Sequence, residues 1–167
     1  RFDEEISIIW DIYNSAWSLN WGFVPMTRKE FEFSIREVQP IIQPELCLIA
    51  EVKGEPAGFS MALPDINQVL MELNGRLFPF GWVRFLWKKN RINAYRVPIL
   101  GVKKIYRRLG IDALFYYETY KLLMKKNIKW CEMSWLLEDN KSILDPMRRI
   151  GGVVYKRHRI YERLITP

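Results

Sequence analysis

Apolar side chains at Ile6, Ile9, Trp10, Tyr13 and Trp17 recur every three or four residues. That spacing lines one face of a helix, so the chain is predicted to open on one, with Asp3 at its N-cap. Asn20-Trp21-Gly22-Phe23-Val24-Pro25 breaks the period as a loop. A second helix starts after Thr27, where Glu30 three residues on completes a capping box, and Pro40 and Pro44 end it. Two apolar runs, Leu46 to Val52 and Pro56 to Leu63, flank Lys53-Gly54-Glu55 and predict a hairpin. Asp65 caps a short helix to about Leu73, stopped by Asn74-Gly75, and a second one follows over Gly81 to Lys89. Then come a strand (Arg96 to Val102), a long helix opening at Gly110 (about Ile111 to Lys126) and a strand (Lys129 to Leu137). A short helix from Asn140 to Gly151-Gly152 and a last strand over Val153 to Leu164 close the chain. A meander followed by a strand–helix–strand crossover predicts an α/β (or α+β) fold, a mixed sheet with helices on its faces. No repeat or low-complexity linker divides it, so residues 1–167 read as one domain with a helical insertion at 64–93.

Charge sharpens this picture. The 167 residues carry a net charge of +7, from 26 Lys and Arg against 19 Asp and Glu. No acidic residue lies between Glu72 and Asp112, a stretch holding ten Lys and Arg. The sixteen basic residues elsewhere fall three short of the 19 acidic ones, so the excess belongs to one segment. This excludes a uniformly basic, histone-like surface and leaves open a local site for an anionic ligand, nucleic acid or acidic lipid. Cys47 and Cys131 sit in apolar runs and read as small buried side chains in a reducing compartment. With one histidine, His158, neither a zinc site nor a His-dependent triad has its parts, and no metal is expected. No run is long and apolar enough to span a bilayer and no signal peptide is visible, which reads as a cytoplasmic protein.

The candidate chemistry lies between Leu100 and Ala113. Leu100-Gly101-Val102 ends a strand, Lys103-Lys104-Ile105-Tyr106-Arg107-Arg108 is a basic turn, and Leu109-Gly110-Ile111-Asp112-Ala113 opens a helix. First-turn amides have no intrahelical acceptor and carry the positive end of the helix dipole. Beside a glycine and two arginines they form a cradle for phosphate or pyrophosphate. The plainer reading, a packed strand–turn–helix with solvated arginines, stays open. The Gly-Lys-Ser/Thr of a P-loop and the repeated glycines of a dinucleotide fold are both missing.

This run resembles motif A of the GNAT acyltransferases: apolar strand, short turn, Arg/Gln-x-x-Gly-x-Gly/Ala, long helix. Arg107 stands at the Arg/Gln position and Gly110 at the Gly position. Tyr13-Asn14-Ser15-Ala16-Trp17, Asn20 to Pro25 and Leu77-Phe78-Pro79-Phe80-Gly81 further resemble an uncharacterised GNAT subgroup, in which such a domain is the C-terminal part of a longer protein. No first GNAT strand is visible before Ile6. The resemblance implies a mostly antiparallel sheet and acetyl-CoA, or another acyl-CoA, as co-substrate. Leu100, Gly101 and Val102 would pair with the pantetheine arm, and Arg108 to Ala113 would wrap the pyrophosphate. Asn140 would lie near the cofactor arm, with Lys103, Lys104 and Arg107 toward the ribose phosphate or adenine. Two positions depart from the pattern. Asp112 replaces a Gly or Ala, and is expected to point outward from the amides. Met147 stands seven positions after Asn140, where relatives carry a Tyr general acid, and a thioether has no proton to give.

Glu132, in an apolar strand, is a candidate base or an ion-paired structural glutamate. Glu138, at the strand's end, is a candidate for catalysis or for holding a cation. Trp21, Phe23 and Phe80 are candidate walls for the substrate. The aromatic and basic insertion reads as a lid, a dimer surface, a membrane-interface segment or a cover for the sheet. The function expected is N-acyl transfer, acetyl from acetyl-CoA, to an unidentified small-molecule or peptide amine. The alternative is a non-catalytic acyl-CoA-binding module. Nucleic acid is not an expected partner, since no known motif accompanies the basic run.

Overall fold

A computed structural model describes residues 2–18, 20, 22–73, 76, 78–161 and 163. Helices α1 (Phe2–Trp17) and α2 (Arg28–Val38) form where the periodicity places them. The capping box is present: Thr27 Oγ1 accepts from the Glu30 amide, and Glu30 Oε2 accepts from the Thr27 amide at 2.8 Å. The approach to α2 is fixed by α1. The Asn14 side chain both donates to and accepts from the Met26 main chain, and Trp10 Nε1 donates to the Met26 carbonyl at 2.8 Å. Ile6 packs with Phe31 and Ile35 between the two helices.

Strands β1 (Cys47–Val52), β2 (Glu55–Pro64), β3 (Ala94–Val102) and β4 (Trp130–Met133) make a sheet in the order β1-β2-β3-β4. β2 runs antiparallel to both β1 and β3, and β4 runs parallel to β3. A parallel neighbour needs a crossover, and α5 (Ile111–Lys125) supplies it. The sheet is covered on both faces. Ile12 of α1 packs on Phe59, Met61 and Ile99, while Ile111 and Phe115 of α5 pack with Ala57. Leu123 of α5 joins Tyr95 and Val97 on that second face. The mixed, mostly antiparallel sheet flanked by helices is the fold class expected.

One irregularity positions the site. Between the pairs Met61↔Ile99 and Leu63↔Arg96, β2 advances two residues and β3 advances three. The extra residue is a bulge in β3 at Val97-Pro98, and it reverses which side chains face which layer. Tyr95 and Val97 face α5, whereas Ile99, two residues on, packs against α1. Pairing with β4 ends at Val97↔Met133, beside a proline that has no amide hydrogen to give.

Between β2 and β3 lie α3 (Asn67–Leu70), a 3₁₀ turn at Met71–Leu73, α4 (Gly81–Lys88) and a 3₁₀ turn at Lys89–Arg91. Asn74 and Gly75, read as a stop signal, lie outside the described residues. Three expectations fail. β4 ends at Met133, not Leu137. The last strand does not form among the described residues: residues 153–161 are exposed and without regular structure. Its β-branched and aromatic residues are strand formers only when a backbone partner and a packed face accept them. Cys131, expected to be buried, is exposed on the last strand of the sheet, and both cysteines are free thiols. By its contacts the chain divides into two compact units, Arg1–Trp135 and Leu136–Pro167. The second holds α6 (Lys141–Arg149), whose buried residue is Met147.

Candidate active site

Beyond the bulge, β3 runs from Pro98 to Val102 beside β2 alone, because β4 has diverged. Lys103 N donates to Ala57 O at 2.8 Å. Antiparallel pairs alternate, so Gly101 and Ile99 exchange their bonds with β2, and the amides of Leu100 and Val102 and the carbonyl of Leu100 point the other way, Val102 O being taken by Arg107 Nε. They face the gap left by β4. An extended ligand entering that gap meets two strand residues with main-chain groups turned toward it. Of the three residues expected to pair with a pantetheine arm, Leu100 and Val102 offer this edge. Gly101 instead admits α1 to the sheet, because a Cβ there would collide with the Trp17 ring and touch Ala16.

The gap leads into the turn. A 3₁₀ turn at Lys104–Tyr106 follows β3, and α5 begins after Gly110. Gly110 is left-handed, φ +77°, and so is Arg108, φ +68°. A left-handed residue directly before a helix splays the first amides outward as a concave set of donors. Gly110 carries no capping side chain, and a Cβ on it would meet nothing within 4 Å. The amides of Ile111, Asp112 and Ala113 occupy the first turn, where the helix offers no acceptor. Arg108, Leu109 and Ala113 are exposed around them, while Ile111 is buried against Ala57. Asp112 is half-buried one turn before Tyr116. Burial first, and then the Asp112 charge, push the Tyr116 phenol up to about 12.

The basic residues of the turn divide into two roles that the sequence does not separate. Arg107 donates through Nη2 to Ala16 O at 2.8 Å and through Nε to Val102 O. Lys103 pairs with Asp11 of α1 at 2.6 Å. Both therefore tie α1 to the end of β3. Lys104 and Arg108 are exposed and, among the described residues, have no ion-pair partner. They are the cations available to a phosphate.

Glu132 faces Arg96 across the β3–β4 pair at 3.3 Å, and Arg96 also donates to Ser134 Oγ at 2.9 Å. The cluster lies one residue pair before the strands diverge. Trp21 lies outside the described residues. Phe23 is half-buried with its ring 5.6 Å from that of Tyr13, inside the α1–α2 packing. Phe80 is exposed just before α4 and lines a cleft with Arg76 and Arg84. Glu138 and Asn140 belong to the second unit. Glu138 sits 3.7 and 3.6 Å from Arg157 and Arg159, and Asn140 Oδ1 accepts from Ser142 Oγ at 2.6 Å. Among the described residues no group of three or more His, Cys, Asp or Glu side chains could hold a metal ion.

No family model matches the chain. It is 40% identical over 171 residues to Protein YghO of Escherichia coli K12. It is 33% identical over 171 residues to the bacterial ceramide synthase of Caulobacter vibrioides. Each alignment takes in 99% of this chain and 44% of the relative, so the chain spans less than half the length of either. Ard1 from Thermoplasma volcanium matches its structure with a TM-score of 0.61 at 16% identity, over 92% of this chain and 80% of that one. AAC(6')-Iy in complex with the bisubstrate analogue CoA-S-monomethyl-acetylneamine matches with a TM-score of 0.61 at 12% identity, over 97% and 93%. These likenesses show that the chain has the GNAT-like fold of those acetyltransferases.

Proposed function

We propose that this domain transfers an acyl group from acyl-CoA to an amine. The observation that carries the reading is the β3 edge at Leu100 and Val102, which β4 does not pair, followed along the chain by the uncapped first-turn amides after Gly110. An amide-bearing pantetheine arm completes the strand edge, and a pyrophosphate accepts from the first-turn amides. Lys104 and Arg108 add the charge. An N–H of the strand edge polarises the thioester carbonyl and stabilises the oxyanion as it develops. The amine attacks directly in a ternary complex, and positioning supplies most of the acceleration. Glu132, at the root of the gap and oriented by Arg96, takes the proton that the amine loses. The CoA thiol, of ordinary acidity, leaves without the Tyr that Met147 replaces.

The relatives bear on donor and acceptor. The CoA analogue bound to AAC(6')-Iy supports a CoA ester as the donor here. A ceramide is the amide of a fatty acid and a long-chain amino alcohol, so the relative named a ceramide synthase favours a long-chain acyl group and a lipid amine. Calorimetry with CoA, acetyl-CoA and palmitoyl-CoA, followed by turnover against sphinganine and small polyamines, tests the reading. Binding of a CoA ester with release of free thiol in the presence of amine is expected. Failure to bind any of the three would overturn it. Met147 favours a second reading, a non-catalytic acyl-CoA sensor; binding without turnover across the amines would select it.

A further inference from the structure

Helix α4 turns its apolar side outward. At about 100° per residue, Trp82, Leu86, Val83 and Trp87 fall within an arc of roughly 140°. All four are exposed, at 53%, 49%, 46% and 75%. The residues turned inward are Gly81, Phe85 and Lys88, and Lys88 is paired with Glu72. An ordinary surface helix buries its apolar stripe and solvates its charges. Here the arrangement is reversed. Phe78 and Phe80, just before the helix, are still more exposed. Four apolar helix residues and two phenylalanines on one short segment form an exposed patch of the kind that marks an interaction site.

The charges beside the patch identify what covers it. Arg84 flanks the outward arc of α4, about 60° beyond Trp87, and is exposed, as are Lys89, beyond the helix end, and Arg91, whose guanidinium lies over the Trp87 ring. Arg76 and Arg84 line a cleft with Phe80, and Glu72 is the acid that reaches it. A protein partner, or a second copy of this chain, would have to bury two tryptophans inside a rim of cations. At a lipid surface the same layout is satisfied at once. Indole and phenyl rings settle at the headgroup level, Leu86 and Val83 enter the acyl boundary, and arginines and lysines meet anionic headgroups. Single-stranded nucleic acid would stack on the rings but would leave Val83 and Leu86 in water. No described helix is long and apolar enough to cross a membrane, so α4 would lie on the surface.

We propose that α4, with Phe78 and Phe80 before it, docks this protein on an anionic bilayer. The proposal goes beyond acyl transfer and does not depend on it. The test is flotation of the protein with phosphatidylcholine vesicles, with and without phosphatidylglycerol, and tryptophan quenching by brominated acyl chains. Binding that needs phosphatidylglycerol and weakens with salt is expected. Trp82→Ser with Trp87→Ser should abolish both quenching and flotation. Arg84→Glu with Lys89→Glu should weaken binding at least about tenfold while the fold, read by circular dichroism, is kept. Tyr120→Ser, an equally exposed aromatic on α5, should change nothing. Absence of flotation, or flotation unaltered by the α4 variants, would overturn the proposal. So would a solution dimer that the tryptophan variants dissociate, since the second copy would then be the occupant.

Discussion

Arg107 donates from its guanidinium to the carbonyl of Ala16 at 2.8 Å, joining residues 91 positions apart. The same group reaches Val102 O, so one side chain links the last turn of α1 to the end of β3. Hydrogen bonds from a charged donor contribute about 1.5–3 kcal/mol when partly buried. Arg107→Ala is expected to lower stability by about 1–2 kcal/mol in chemical denaturation. Arg107→Lys should recover little, since an ammonium cannot span two carbonyls as a guanidinium does. Arg108→Ala should do the reverse: unchanged stability and weakened CoA binding by calorimetry.

Gly101 and Trp17 form a second link across the same two elements. A methyl group on Gly101 would enter the indole. Gly101→Ala is therefore expected to destabilise by about 1–3 kcal/mol, as overpacking does. Trp17→Leu makes room, so the double variant should be more stable than the two single costs added together. A double-mutant cycle in denaturant measures the difference.

Gly110 separates backbone strain from ligand space. Its φ of +77° costs a side-chain-bearing residue about 1–2 kcal/mol, yet a Cβ there meets nothing within 4 Å. Gly110→Ala should lose stability by about that amount. Gly110→Glu should lose no more, while its carboxylate beside the first-turn amides abolishes CoA binding. Parallel melting curves and calorimetry check both.

Tyr116 carries a buried hydroxyl without a hydrogen-bond partner among the described residues. Burial, and then Asp112, raise its folded pKa to about 12, against an ordinary value of 10.0. The unfolded chain gives up this proton first as pH rises, so its contribution to stability is whole below pH 10 and is lost between pH 10 and about 12. Tyr116→Phe should flatten the pH profile in that window. At neutral pH it should be neutral or stabilising by up to about 1 kcal/mol, since a stranded polar group is removed.

Glu132→Gln is expected to lower kcat by about 100-fold or more, with donor binding unchanged. Steady-state kinetics beside calorimetry decides this. Loss of stability with unaltered kcat would leave Glu132 as only the partner of Arg96.

Much of this arrangement was legible in the chain because its causes are local. The capping box at Thr27 and Glu30, the α1 stripe and the glycine before α5 each act within a few residues, and each forms as read. The last strand was misread for the opposite reason. Val153, Val154 and Tyr155 have strand propensity, but a strand exists only through a partner far away in sequence. The exposure of Cys131 follows from the same kind of fact, its place on the last strand of the sheet.

The sequence by itself determined the order of elements as far as α6, the basic turn and the amide-lined helix start, since cap residues, periodicity and charge are written residue by residue. Only the tertiary structure decided which parts of that turn are free to bind. Lys103 and Lys104 are neighbours of identical chemistry, yet Asp11 holds one and not the other. The bulge at Val97-Pro98 likewise needed β2 and β4 beside β3 before it could open the edge at Leu100 and Val102. The direction α4 faces was also set by packing. Its stripe is plain in the sequence, but periodicity states only that a helix has an apolar side, and the neighbours decide whether that side is covered.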